Sequence, residues 1–576
     1  MYEDLFKCVF PEWSDVVPLN MDTYIVNDQE SGLVLPIIKE STFLWKITCD
    51  GMTNIYESSN TIDSDSTEII CISEFKEIIY YSFNELPQFE EGTVHIVPNL
   101  NWICQVFPMF LYGHTIYDPF IASWMENTEI YKKPSILHSL DEISINFDSL
   151  YDLMGKLNDR LVRFKTNPIW NWYSDIEIKH LRILGKMHNH TLKPDIKKME
   201  EYQKYIEKQI QATKSEIYVQ AGKEFNIMSP KECSLVISTC CNLSLENLKK
   251  NNSIDSRHRH HIHTNPMDTS EAALNSVDHP IAGLIIQYRS HQKIKSLLDG
   301  ILSHTDDSGE LHPTFKICST ATGRISISSP NLMNVPKKLE GHPIGVRDLL
   351  KPLEGSTIIS VDYSQIEIRV IAHFSKDRNF IELCNRNDTD IHSCVASLIF
   401  GLTPNQAVST KQREHAKKIV YSTLYGTNVP EDSRKVNEYF PSLNRMKNEI
   451  IKEARIHGFV KTICGKKRYL PNINSQIATE RSRDNRIAVN TVIQGSTADF
   501  VKYALIKIMN NCGDKIIPLL QIHDEWIFET KIPSSSTNFE FLVEKIKLSA
   551  ECSEEFGFSL NIPVQIKYGE SYGEIL

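Results

Sequence analysis

Thr357-Ile-Ile-Ser-Val-Asp-Tyr-Ser-Gln-Ile-Glu-Ile-Arg369 changes character halfway along. Its first five residues are apolar and β-branched, the mark of a buried strand. Asp362 follows, and Asp362 to Arg369 turns into a helix. A carboxylate just past a buried strand is held rigidly at a solvent-accessible edge, where a metal ion can sit. A second such device lies 162 positions on. Leu519-Leu-Gln-Ile522 and Trp526-Ile-Phe-Glu529 flank His523-Asp524-Glu525 and read as a hairpin, with Asp524 and Glu525 at or beside its turn. Brought together, Asp362 and Asp524 would be the paired carboxylates that hold two Mg²⁺ ions for in-line phosphoryl or nucleotidyl transfer. Taken singly, each is more often an ordinary turn or cap carboxylate.

Two helical rows lie between these devices. Arg413, Lys417, Tyr421 and Tyr425 recur every four residues, so they share a stripe that drifts slowly around one helical face. Two cations followed by two aromatics offer charge for a triphosphate tail and rings to cover a base and sugar. A solvated helix with an aromatic core end fits the same spacing. Arg486, Asn490 and Gln494 form a second row at i, i+4 and i+8, suited to minor-groove edges and sugar phosphates, or simply to a polar surface.

Farther out, charge is uneven. From Lys411 to Arg486 there are 17 Lys/Arg against 8 Asp/Glu, whereas the whole chain of 576 residues has 62 against 73. A net charge of −11 excludes a uniformly basic nucleic-acid coat, but one basic segment is the footprint of a face built for a polyanion. The 13 cysteines are scattered without a C-x-x-C pair, which reads as a reducing compartment. The opening Met1-Tyr-Glu-Asp-Leu-Phe shows no targeting signal. The nearly uncharged stretch Gly92 to Trp124 is broken by Pro98, Pro108 and Gly113, so no membrane span is expected.

The start of the chain reads as short strands, Phe43–Thr48, Glu68–Ile72, Ile78–Phe83 and Thr93–Val97, followed by a helical pair, Ile176–Met187 and Ile196–Val219. Residues 242–275 lose periodicity and read as a mobile connector. Within and beside it, Cys240-Cys241 and His258, His260, His261 and His263 have zinc-compatible types, but their spacing matches no structural zinc site.

In this order the segments resemble family A DNA polymerases, from about Asp175 to the C-terminus. Thr320-Ala-Thr-Gly-Arg-Ile-Ser326 with Pro330-Asn-Leu-Met-Asn-Val-Pro336 resembles the primer–template segment. Asp362 to Arg369 is similar to the family's motif A, Arg413 to Gly426 to motif B, and Gln521-Ile-His-Asp-Glu525 to motif C. Gly458-Phe-Val-Lys-Thr462, Arg468-Tyr-Leu-Pro471 and Arg486 to Asp499 resemble the family's palm helices.

The resemblance implies a mixed α/β right hand on an N-terminal exonuclease-like (RNase H-like) domain. The expected division is 1–170 exonuclease-like and inactive, 171–310 thumb, 311–400 palm, 401–480 fingers and 481–576 second palm part. It also implies roles. Asp362 and Asp524 would ligate two Mg²⁺ ions, with Mn²⁺ as a substitute and Glu525 in support. Arg413 and Lys417 would hold the triphosphate, and Lys417 would protonate the leaving pyrophosphate. Glu367 would gate against a 2′-hydroxyl, Tyr421 would pack on the sugar, Tyr425 would stack near the template base, and His392 would touch the β-phosphate. Gln365 joins this dNTP site. Arg324, Asn331, Arg486, Asn490, Gln494 and His523 would contact primer–template DNA, and Lys418 the nascent pair or the template phosphate.

Within the family, His279-Pro280, Ile285-Ile-Gln-Tyr-Arg289, Lys293-Ile-Lys-Ser296, Tyr117-Asp-Pro-Phe-Ile-Ala-Ser-Trp124, Val564-Gln-Ile-Lys-Tyr-Gly569 and Lys418 resemble the eukaryotic nu and theta polymerases, nu most of all. That likeness implies a nuclear enzyme of DNA repair or translesion synthesis, with repair-protein partners it does not specify. The chain also departs from the family pattern. Asp28-Gln-Glu30, its one N-terminal D-x-E, follows no buried strand and reads as a loop, so no proofreading is expected. Met333 stands where the family usually has glutamine, and only 31 residues separate Gly426 from Gly458, fewer than the family commonly uses. A polymerase-shaped DNA-binding protein with impaired catalysis is therefore the alternative. A related single-subunit RNA polymerase is disfavoured by Glu367 and Thr322-Gly-Arg324.

Overall fold

The computed structural model describes residues 42–48, 68–72, 78–82, 94–96, 104, 115–129, 161–240, 269–275, 277–336, 342–386, 390–403, 406–425 and 432–575. The chain forms two units. The first contains residues 1–189, 314–327 and 359–567, and the second contains 190–313, 328–358 and 568–576.

In the first unit, β1 (Thr42–Thr48), β2 (Glu68–Ile72), β3 (Ile78–Ser82), β4 (Val94–Ile96) and β5 (Thr115–Tyr117) make one sheet in the order β3-β2-β1-β4-β5. β1 runs antiparallel to β2 and parallel to β4, and β4 is parallel to β5. All four strands expected near the N-terminus are present, to within a residue at either end. The side chain of Asp118 then accepts from the Phe120 and Ile121 amides and caps α1 (Pro119–Glu126), whose Pro at the first turn costs no hydrogen bond. Asp28-Gln-Glu30 lies outside the described residues.

A π-helical turn, Tyr173–Glu177, leads into α2 (Ile178–Asn189). The chain then enters the second unit, where α3 (Ile196–Ala221) packs on α4 (Pro280–Ser303). Met199, Tyr202, Ile206, Ile210, Thr213 and Ile217 form the buried stripe of α3, and Ile285, Tyr288, His291, Ile294, Leu298 and Ile301 that of α4, at the three- and four-residue spacing of one helical face. Gly222 ends α3 in the left-handed region at φ 67, as a helix C-cap requires. The expected connector 242–275 is corrected at its end: Glu271–Leu274 is helical, with Ser270 accepting from the Ala273 amide. The remainder of that connector, and the His258–His263 cluster, lie outside the described residues.

The sheet that carries Asp362 combines β6 (Thr357–Tyr363), β7 (Ile517–Ile522), β8 (Glu525–Thr530) and β9 (Val564–Gly569), ordered β7-β8-β6-β9. Ile359, Val361, Leu519, Leu520, Trp526, Ile527 and Phe528 are fully buried in it. Burial on both faces explains why these strands read as continuous apolar runs rather than alternating ones. Tyr363 fixes the end of β6: its ring lies 5.3 Å from those of Phe500 and Trp526, and its hydroxyl donates to the Ala550 carbonyl at 2.7 Å.

Five helices complete the frame of the site: α5 (Ile366–Ser375), α6 (Ile391–Phe400), α7 (Thr410–Tyr425), α8 (Ala478–Asn490) and α9 (Ser496–Cys512). A π-helical turn, Thr491–Gly495, joins α8 to α9. Between α7 and α8 the described residues include an eight-residue helix, Asp432–Tyr439, a second helix, Pro441–His457, and the short strands Phe459–Lys461 and Lys467–Tyr469. Among the described residues no helix is long and apolar enough to cross a membrane.

Candidate active site

Asp362 is exposed at the end of an otherwise buried strand. The hairpin pairs Ile522 with Glu525, which leaves His523 and Asp524 as a two-residue turn. His523 sits at φ 54, a region non-glycine residues seldom occupy, as the first position of a tight hairpin turn demands. The amide of Tyr363 donates to the Asp524 carbonyl at 3.4 Å, so the strand end and the turn are joined next to both carboxylates. Glu525 turns back to β6, accepting from Ser360 Oγ at 2.6 Å. It thereby ties the two strands that present the carboxylates.

Arg324 Nη2 lies 3.7 Å from Asp524 Oδ1. Burial raises the Asp524 carboxyl above its ordinary value, and the Glu367 charge adds to this, while Arg324 and His523 oppose it. A cation beside Asp524 would relieve that penalty. The donor set consists of hard oxygens, which suits Mg²⁺ or Mn²⁺. Among the described residues no group of three or more His, Cys, Asp or Glu side chains is placed to hold a metal ion. A Mg²⁺ ion held by one or two carboxylates takes its other ligands from water and substrate phosphates, so the residues present fit such an ion.

Glu367 and Tyr421 lie close enough to Asp524 to interact with it electrostatically. Glu367, in the first turn of α5, accepts from Gln494 Nε2 at 3.3 Å. Gln365 precedes that helix in the left-handed region, φ 54 and ψ 44, and its amide reaches Asp390 Oδ1 at 2.6 Å. His392 is buried, with its ring centroid 6.0 Å from that of Tyr421. Burial pulls its pKa down to about 4, Asp390 opposing and Lys417 and Arg413 adding to the fall. Burial also raises the Tyr421 phenol, helped by Glu367 and Asp524, so it stays a hydrogen-bond donor. On α7 the side chains of Lys417 and Lys418 are exposed, and Tyr425 closes the helix. Asn331 belongs to the second unit, where its side chain accepts from the Met333 amide and caps a short 3₁₀ turn.

Two expectations need correction, and Arg413 has a partner that the sequence did not suggest. Arg413 is held by a carboxylate: its Nε and Nη2 donate to Asp390 Oδ2 and Oδ1 at 2.8 and 2.9 Å. The Arg486–Asn490–Gln494 row does not run along one straight helix. Asn490 is the last residue of α8 and Gln494 lies in the π turn, which advances the chain by an extra residue and aims Gln494 at Glu367. The basic run is also less exposed than its composition implies, since Lys466 and Arg468 are buried.

Lys466 belongs to a buried quartet that the sequence reading did not find. Lys466 Nζ lies 3.3 Å from Glu177 and 2.5 Å from Asp499, and Lys502 Nζ lies 2.7 Å from Glu177. Both ammonium groups also face the Trp124 ring, at 5.1 and 5.6 Å. Burial opposes ionisation of Glu177, yet Lys502 and Lys466 more than offset it and hold the carboxyl well below the usual range. Beside the quartet, His180 Nε2 meets Gln521 Oε1 at 2.8 Å, on the strand that leads to Asp524. Gly323, at φ 78, packs against this group: a Cβ there would stand 3.0 Å from Lys466 Nζ and 3.3 Å from Trp124. Arg324, the next residue, is thus led from a charged core to Asp524.

The family model for DNA polymerase family A matches residues 196–574. DNA polymerase I of Caldicellulosiruptor bescii is 33% identical over 73% of this chain and 50% of its own length. The thermostable DNA polymerase I of Thermus filiformis is 31% identical over 71% of this chain and 48% of its own. The chain spans about half the length of the curated relatives it matches. The POL domain of Pol1 from M. smegmatis, solved in complex with DNA primer-template and dNTP, superposes with a TM-score of 0.74 at 23% identity, covering 94% of this chain and 96% of that one. That likeness establishes the fold.

Proposed function

Because the chain belongs to DNA polymerase family A, we propose that it is a template-directed DNA polymerase adding dNTPs to a primer 3′-hydroxyl without proofreading. The observation that carries this reading is that the strand end at Asp362 and Tyr363 is bonded to the turn at Asp524, with Arg324 beside the Asp524 carboxylate. When bound, two divalent ions would supply the activation of the attacking oxygen and the neutralisation of the leaving phosphates, and Asp362 and Asp524 would hold them. The chain's own residues do the positioning. Arg413 and Lys417 bind the triphosphate, and Lys417 gives a proton to the leaving pyrophosphate. Glu367, steadied by Gln494, closes the space a 2′-hydroxyl would need. Tyr421 packs on the sugar, and His392, neutral near pH 7, offers a ring N–H to the β-phosphate. Arg324, Asn331, Arg486, Asn490, Gln494 and His523 take primer and template, and Lys418 reaches the nascent pair or the template phosphate next to it.

The hand is assigned as thumb 171–310, palm 311–400 and 481–576, and fingers 401–480. The strand order β3-β2-β1-β4-β5 with an antiparallel β2 supports an exonuclease-like scaffold before them. Among the described residues its first strand is Thr42-Phe-Leu-Trp-Lys-Ile-Thr48, and the reading without proofreading rests on the loop character of Asp28-Gln-Glu30 in the sequence. The nu/theta-like segments support a role in repair or translesion synthesis in the nucleus. Primer extension with dNTPs against rNTPs, with and without Mg²⁺, tests the reading. Extension by dNTPs only, requiring the metal, is expected. No extension in either case would leave a polymerase-shaped DNA-binding protein.

A further inference from the structure

Asp390 gathers more of the first unit's polar groups than any assigned role uses. Its carboxylate accepts from Gln365 Nε2 at 2.6 Å, from Arg413 Nε and Nη2 at 2.8 and 2.9 Å, and from Ser393 N and Oγ at 2.8 and 2.5 Å. It sits at the N-cap of α6, between the residue that opens α5 and the fingers-side helix α7. The Nε–Nη2 edge of a guanidinium is one of the forks that also grip a phosphate in bidentate fashion.

We infer that Asp390 is a latch: it holds Arg413 while no nucleotide is bound and yields it to the polyphosphate when a dNTP enters, so it sets nucleotide affinity without touching the chemistry. This rests on the polymerase reading. Three features make the exchange feasible. Asp390 and Arg413 keep 29% and 39% of their side-chain surface exposed, so the pair is of the weak, partly solvated kind. When Arg413 leaves, the carboxylate is not orphaned, because Gln365, the Ser393 amide and the Ser393 hydroxyl still donate to it. The N-terminus of α6 also favours a negative charge there. An entering anion must displace a carboxylate that is already well seated, and a polyphosphate does so better than a singly charged ion. Burial opposes the ionisation of Asp390, but Arg413 and the Ser393 hydroxyl and amide outweigh it and hold the group down to about 2, so the closed latch is an ion pair.

The test compares wild type, Asp390→Asn, Arg413→Ala and the double variant in single-nucleotide incorporation on a primer–template. Asparagine keeps the N-cap, so the unfolding temperature should stay that of wild type. The expected result is a KM for dNTP about two- to fivefold lower in Asp390→Asn with kcat unchanged, the range a partly exposed ion pair supplies. In the Arg413→Ala background the same substitution should leave KM unmoved. An unchanged or raised KM in Asp390→Asn overturns the latch, and so does a fall that persists without Arg413. A wild type that extends no primer removes the polymerase reading instead. Calorimetric titration with inorganic tripolyphosphate then decides: two- to fivefold tighter binding by Asp390→Asn supports the latch, and equal binding overturns it.

Discussion

The amide of Tyr363 donates to the carbonyl of Asp524 at 3.4 Å, and this bond fixes the spacing between the end of one buried strand and the turn of a hairpin. Each neighbouring carboxylate is carried on an element whose apolar side chains are mostly buried, so neither can drift without disturbing a core. Rigid placement of charge before the reaction is what electrostatic catalysis requires.

Asp362→Asn or Asp524→Asn should therefore abolish nucleotide addition while largely sparing duplex binding. On the proposed function the carboxylates would hold metal ions, whereas duplex affinity would come mainly from Lys and Arg on phosphates. Primer extension and DNA titration measured on the same preparations check this. Near wild-type extension by either variant would remove the two-metal assignment.

Glu367→Ala should admit ribonucleotides. The wild-type carboxylate is anchored by Gln494 at 3.3 Å, so it cannot swing aside for a 2′-hydroxyl without losing that bond. Gln494→Ala should then relax discrimination partway, by loosening the gate rather than removing it. The ratio of kcat/KM for dNTP and rNTP is the readout, and an unchanged ratio in Glu367→Ala would take the residue out of the gate.

The strands were legible because burial on both faces demands continuous β-branched and aromatic runs, as in Thr357–Val361 and Trp526–Phe528. The position of Asp524 was legible because a two-residue turn between such runs leaves few registers. The quartet was not. Glu177 and Lys502 stand 325 positions apart, and their residue types are those of any solvated helix. The π turn at Thr491–Gly495 leaves no periodicity of its own in the Arg486-Asn490-Gln494 spacing. The role of Asp390 was hidden for a different reason: an aspartate before an apolar helix is already explained as its cap.

Acid should destabilise the fold within a particular window. Burial lowers His180 and His392 from 6.5 to about 4, so both are neutral in the folded state while the unfolded chain takes up a proton at its ordinary value. Their contribution is fully present above pH 6.5 and is lost as pH falls toward 4. For the fully buried His180 the loss is on the order of 3 kcal/mol. Urea midpoints measured across that range should fall less steeply in His180→Gln than in wild type. Parallel slopes would show that the ring is not held neutral.

Lys466→Met should lower stability by about 3–5 kcal/mol, because it leaves Glu177 and Asp499 buried with one cation fewer. The side chains involved are at most 2% exposed, so water cannot replace the missing partner. The double variant Lys466→Met with Asp499→Leu removes a cation and an anion together. It should therefore lose much less than the sum of its single changes, which a double-mutant cycle of urea midpoints reads directly. Function should follow the geometry rather than the stability. Lys466 Nζ would lie 3.0 Å from a Cβ at position 323, so its loss frees the segment that presents Arg324 to Asp524. At a temperature where every variant is folded, kcat should drop in Lys466→Met and stay low in the double variant. Full recovery of kcat alongside stability would confine the quartet to folding and detach it from the site.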